Sequence, residues 1–358
     1  MDTDLVETLV SIPSHEDESA SGDAIENWLR DQTDATVERD DAGNVIARKG
    51  TGATTLALVG HHDVVPPDES QVEDGKYVVE TREEGGDRRL YGRGSADMKG
   101  AVAAAMCAFR DADPDCELRF ASFVGEEVGG EGARHAIDQG FAPDCAIVGE
   151  GSTGYSTPGV TDVAVAHKGR RGSTLVAQGS AAHASEPEAG ENAVYRATDA
   201  VDVVRDLDAP EATVGEFAVA GSLVVTGIEG GSAWNVVPER CEVTVDERTV
   251  PGDRADLAQV EALEGITWAV DQDLPPMACG DPEFADAVLA AADAAQEGDP
   301  EHVVKPHATD AGWLAEAGVD CVVCGAAEPG EAHTADESVS LSVVERCYEV
   351  YRRTAESL

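Results

Sequence analysis

The strongest constraint on how this chain can fold is a change of rhythm along it. Up to about residue 165, apolar runs of strand length alternate with segments of helical period. Helical patterns fall near 2–11 and 18–31, where Ile25, Trp28 and Leu29 share one face. Strand-like runs follow near 44–48 and 54–60. The stretch DMKGAVAAAMCAFRDA (97–112) reads as a helix and ELRFASFV (117–124) as a strand. A helix near 131–139 then leads to the strand CAIVG (145–149). Strands that alternate with helices predict an α/β sheet with helices over both faces.

Between 166 and 272 the order changes to strand, helix, strand, strand, helix, strand. The segments are STLVAQG, 190–206, SLVVTGI, RCEVTVDERTV, 253–264 and ITWAV. This βαββαβ order is the split ferredoxin-like unit. After it, 281–296 is helical, and VDCVVCG (319–325) and a C-terminal helix are placed to rejoin the first sheet. The predicted organisation is a larger domain of residues 1–165 and 273–358 with a smaller one, 166–272, inserted into it. A length of 358 residues agrees, because single cores stop growing below that size. There is no internal repeat and no low-complexity linker.

Charge narrows the partners. The formal net charge is −46, and acids are interleaved with apolar periodic segments throughout, which describes a folded domain with an acidic coat. Nucleic acid and anionic membrane surfaces would be repelled and are not expected partners. Arginine (20) greatly outnumbers lysine (5), a depletion that resembles proteins of salt-loving organisms, where salt screens self-repulsion. The first residues, MDTDLVETLVSIPSHEDE, lack the basic and apolar regions of a signal peptide. No window has the ~18 apolar residues of a membrane span. Eight cysteines without regular spacing fit a reduced, cytoplasmic protein, and CVVC (321–324) reads as part of a buried strand.

In open α/β sheets, ligands bind beyond the carboxyl ends of the strands. HHD (61–63), GEE (125–127) and GE (149–150) each follow a predicted strand. AHTADE (332–337) follows VDCVVCG, and GRGSADMKG (92–100) leads into a helix. With 71 acidic residues a lone carboxylate says little, whereas nine histidines carry more information. A two-metal hydrolytic centre needs histidine and carboxylate ligands, a bridging carboxylate and a base for water. These strand ends can supply all of them.

The motifs GHHDVVP, LYGRGSADMKG, GEEVGGEG, VGEGS and AHTADES occur in the order found in the co-catalytic zinc aminoacylase and carboxypeptidase family. Succinyl-diaminopimelate desuccinylase and acetylornithine deacetylase belong to that family, and the resemblance covers nearly the whole chain. It implies a zinc-hydrolase-type α/β/α catalytic domain with an inserted lid and dimerisation domain. It further implies two divalent ions per chain, zinc in the first place and cobalt as an alternative. One ion would be held by His61, Asp97 and Glu150, the other by Asp97, Glu127 and His333. Glu126 would be the general acid/base. Asp63, two residues from His61 and on the same side of an extended segment, would hold the His61 ring. His62 would point away, as a loop or packing residue.

In the inserted domain, GSAAHASEPEAGENA resembles the segment whose histidine, here His183, reaches the active site of a partner subunit. A homodimer is therefore implied. Asn235 and Arg248 match substrate-contacting positions, Arg248 suiting a substrate carboxylate. Arg171 is a weaker candidate of the same kind. The reaction implied is hydrolysis of an N-acyl amino acid. N-succinyl-diaminopimelate is the first substrate choice; acetylornithine, an acylated lysine or a peptide with a free carboxylate are alternatives. A non-catalytic metal or amino-acid binder on the same fold is the alternative from another class.

Overall fold

The computed structural model describes residues 1–358. They form two compact units. The first comprises Met1–Ala166, Met277–Lys305 and Thr309–Leu358, the second His167–Pro276 with Pro306–Ala308.

The first unit is built on a nine-stranded mixed sheet. Four of its strands run parallel and side by side: Glu117–Phe123, Thr55–His61, Cys145–Val148 and Asp320–Val323. Thr36–Arg39 and Val45–Lys49 extend one side of this set antiparallel. On the other side lie Val163–His167, Met277–Ala278 and, paired with Val163–His167, His302–Lys305. Every residue of Thr55–His61 after the first is buried, as a strand covered on both faces requires.

One face of this sheet packs on helices Glu131–Asp138 and Asp310–Glu316, around Val59, Phe123, Val148, Ala133 and Leu314. Helix Gly100–Asp111 packs against Thr55–His61 and against the C-terminal helix Leu341–Ser357, and its residues 100–109 are all buried. An alanine-rich sequence suits a helix enclosed on every side. Its approach to the strand is close: a Cβ on Gly60 would stand 2.8 Å from Met98 Cε and 2.9 Å from Val102 Cγ2. The helix begins at Gly100 and not at 97, because Asp97 and Met98 have non-helical backbone, with φ/ψ of −127°/95° and −134°/32°.

The second unit has a four-stranded antiparallel sheet in the order Ser222–Gly230, Arg240–Arg248, Arg170–Gln178, Ile266–Leu274. Helix Ala193–Asp206, capped by Asn192, covers one face. The strand order is that of the split ferredoxin-like unit. The helix expected at 253–264 is instead a short 3-10 helix, Leu257–Ala262. Its buried residues, Leu257 and Val260, are three apart and so share one face of a three-residue turn. No helix in the chain is long and apolar enough to cross a membrane.

Candidate active site

The four parallel strands deliver their carboxyl ends to one rim of the sheet. His61 is the last residue of Thr55–His61 and pairs in register with Phe123, the last of Glu117–Phe123. Glu126 and Glu127 follow Phe123 in a turn, and Glu150 follows Cys145–Val148 by two residues. His333 lies on the loop after Asp320–Val323 and is one of two non-glycine residues with a left-handed backbone, at φ 62°. Such a conformation in a histidine is a local cost that surrounding structure must hold in place.

Asp97 stands at the centre. Its Oδ1 is 3.1 Å from His61 Nε2 and its Oδ2 is 3.0 Å from His333 Nε2. His61 Nε2 also lies 3.3 Å from Glu150 Oε1, and His333 Nε2 lies 2.9 Å from Glu127 Oε1. Each imidazole nitrogen thus meets two carboxylates, one of them shared. Two ligands ~2.1 Å from a tetrahedral ion stand about 3.4 Å apart. The observed separations are close to that, and the donors are the nitrogen and oxygen atoms such ions take. Donor atoms mutually within 4.8 Å form the groups His61/Glu126/Glu150 and His61/Asp97/Glu127. These differ from the two triads the resemblance implies.

Asp63 fastens the neighbouring pieces. Its carboxylate is 3.3 Å from His61 Nδ1. Its two oxygens also accept the backbone N–H groups of Glu126 and Glu127 at 3.1 and 3.0 Å. Burial opposes charge on His61, but hydrogen bonds to Asp63, Asp97 and Glu150 hold its pKa well above the usual value. Hydrogen bonds to Asp97 and Glu127 push His333 up to about 10. Burial raises Glu126 well above the carboxylate range; the charge of His61 opposes this, and Glu150, Asp310 and Glu127 add to it.

Three further residues had no role assigned from sequence. Lys305, 6% exposed, donates to Glu150 Oε2 at 3.1 Å. Asp310 has no hydrogen-bond partner for either oxygen, and burial pushes its pKa up to about 8. Glu337 accepts the backbone N–H groups of Ala96 and Asp97. Lys305 and Glu337 act through partners remote in sequence, at separations of 155 and about 240 positions.

His62 is fully buried with Nδ1 2.9 Å from Ser122 Oγ, and burial brings its pKa down to about 3. His62→Ala is expected to retain metal binding and turnover and to lose about 1–3 kcal/mol of stability. In the unfolded chain His62 takes up a proton near pH ~6.5. The folded chain resists it until about pH 3. Stability is thus lost as pH falls through that window, and the variant should lose this share of its acid sensitivity. Urea titrations across that range, beside metal content and activity, provide the check.

In the second unit, His183 is exposed, with Nδ1 2.6 Å from Ser185 Oγ and Nε2 3.4 Å from Asn235 Nδ2. The structure thus brings His183 and Asn235 together. Arg248 is partly exposed and donates to Asp246 at 2.9 Å. Arg171 is used differently from the expectation of a substrate contact. It is 7% exposed, and its Nε and Nη2 are engaged by Glu247 and the Ala255 carbonyl, each at 2.6 Å. These contacts make it a structural residue of the unit.

Histidines and carboxylates gathered on the carboxyl rim of an α/β sheet, with a further glutamate in reach, define a metal-dependent hydrolase. Comparison with known proteins gives the family. Residues 57–357 match the model of the peptidase family M20/M25/M40. The chain is 34% identical over 217 residues to an acetylornithine deacetylase of Klebsiella pneumoniae, a match covering 58% of this chain and 54% of that one. It thus spans only about half the length of that relative. It is 31% identical over 340 residues to an acetylornithine deacetylase of Myxococcus xanthus, covering 88% of this chain and 84% of the other. Among solved structures, the aminopeptidase PepT from Bacillus cereus superposes with a TM-score of 0.76 at 18% identity, over 99% of this chain and 98% of its own. The chain belongs to the peptidase family M20/M25/M40, the family its ordered motifs indicate.

Proposed function

We propose that this protein is a two-metal deacylase that hydrolyses the amide of an N-acyl amino acid, with N-acetylornithine the first substrate to test. The observation that carries the reading is the shared carboxylate of Asp97, which faces His61 with one oxygen and His333 with the other. His61, Asp97 and Glu150 would hold one divalent ion, and Asp97, Glu127 and His333 the second, with zinc favoured by the nitrogen and oxygen donors. When bound, such ions supply Lewis acidity toward the amide carbonyl and make a water molecule more acidic. Glu126 then takes a proton from the attacking water and returns it to the leaving nitrogen. Asp63 keeps Glu126 and Glu127 in place through their backbone N–H groups.

The two acetylornithine deacetylase relatives favour an acetyl group. The resemblance of the ordered motifs to the family that includes succinyl-diaminopimelate desuccinylase keeps N-succinyl-diaminopimelate as the second reading. A homodimer through the smaller unit belongs to the same proposal. Val224 and Ile228, on the edge strand Ser222–Gly230, are 50% and 52% exposed. In that dimer, His183 would serve the active site of the partner subunit.

The test is a panel of N-acetyl and N-succinyl amino acids and simple dipeptides, run with zinc- and cobalt-loaded protein in high salt. The expected result is cleavage of N-acyl amino acids, N-acetylornithine showing the highest kcat/KM. A preference for dipeptides would make the protein a peptidase. Two bound ions with no amide cleaved would leave a non-catalytic binder.

A further inference from the structure

Glu337 takes no part in the chemistry above, yet it is 1% exposed and lies on the same loop as His333. Its carboxylate reaches across to the other ligand-bearing segment. Oε1 accepts the backbone N–H groups of Ala96 and Asp97 at 3.1 and 3.2 Å, and Oε2 accepts from Arg93 Nη1. The Gly92 N–H donates to the Glu337 carbonyl at 3.0 Å. Arg93 is itself 3% exposed. One residue thus ties the turn carrying the carboxylate shared by both histidines to the loop carrying the second histidine.

A fold staple is the competing explanation. A buried ion pair is weak evidence for stability, since an apolar pair of similar volume often does as well. An apolar pair could not satisfy two adjacent N–H groups, one buried and one partly buried, whose desolvation is costly when they are unpaired. One of those N–H groups belongs to Asp97, whose side chain must be aimed at two partners at once. His61 and Glu150 are placed by other means: strand ends, Asp63 and Lys305.

We propose that Glu337, anchored by Arg93, is a positioning residue that fixes Asp97 relative to His333 and so sets the affinity of the ion site these two share. The proposal rests on the two-ion reading of the site.

The experiment titrates metal-free, full-length protein with Zn²⁺ and with Co²⁺, following heat and the cobalt absorption spectrum. Wild type is expected to take two ions per chain. Glu337→Gln is expected to weaken the ion shared by Asp97 and His333 about 10- to 100-fold and the other ion, which Asp97 would also hold, by clearly less, with the larger spectral change at the first. Arg93→Met, which leaves Glu337 in place but unanchored, is expected to show the same selective loss. Arg93→Lys should recover most of it. Two ions bound by wild type with unchanged isotherms in Glu337→Gln and Arg93→Met, or both ions weakened equally, would overturn the proposal. If Glu337→Gln does not fold, the Arg93 variants decide on the same criteria. A wild-type protein that takes fewer than two ions would instead sink the two-ion reading itself.

Discussion

Asp97→Asn is expected to yield a protein that retains at most one ion and hydrolyses no N-acyl amino acid above background. The reason lies in the two oxygens. Oδ1 stands 3.1 Å from His61 Nε2 and Oδ2 3.0 Å from His333 Nε2, so in the proposed centre one side chain would serve both ion sites. Asparagine keeps the shape but offers one oxygen, an N–H₂ group in place of the other, and no charge. The charge dominates: a unit charge ~4 Å from another is worth about 4 kcal/mol at an effective dielectric of 20, and twice that against a dication. A neutral hydrogen bond contributes about 1 kcal/mol. Elemental analysis after dialysis, beside an activity assay, gives the check. A variant holding two ions with more than a tenth of wild-type activity would remove Asp97 from the shared position.

Four of the candidate site residues, His61, Glu126, Glu127 and Glu150, are legible because each stands at or just after an apolar strand. Once the 55–61, 117–124 and 145–149 runs are read as parallel strands, chain direction alone sends His61, Glu126, Glu127 and Glu150 to one rim. The structure has this arrangement, with the 55–61 strand between the other two. Between His61 and His62, the period of two separates the side chains: one faces Asp97 and the other packs beside Ser122. What sequence does not encode locally is the choice of remote partners. Nothing in AHTADE distinguishes Asp336, which is exposed, from Glu337, because the N–H groups that select Glu337 lie some 240 positions earlier. The partners of Arg171 are hidden for the same reason: Glu247 and Ala255 become its neighbours only when the antiparallel strands pair. The apolar spacing of 253–264 predicts a helix, and a 3-10 turn satisfies it as well as an α-helix does. CVVC needed no remote partner: Cys321 and Cys324 are fully buried, one within the 320–323 strand and the other just beyond its end.

Glu126→Gln is expected to bind both ions as wild type does, to change KM little, and to lose about 10²- to 10⁴-fold in kcat. Glu126 is placed to reach reacting groups without being needed as a ligand. Its backbone N–H is fixed by Asp63 at 3.1 Å, and a carboxylate oxygen comes within 4.8 Å of donor atoms of His61 and Glu150. Without ions, burial raises its pKa well above that of an ordinary glutamate; two bound dications would favour the ionised form that accepts a proton. Glutamine fills the same volume and still accepts a hydrogen bond, but it can neither take a proton from water nor deliver one to the leaving nitrogen. An interaction needed only in the transition state, once removed, lowers kcat and kcat/KM by the same factor. Glu127→Gln is the discriminating control. Glu127 faces His333 at 2.9 Å, so that variant should lose an ion, whereas Glu126→Gln should not. Activity within threefold of wild type in Glu126→Gln would mean that another group moves the proton. Asp310 would then be the first to examine, because it is the buried carboxyl of this site with neither oxygen bonded.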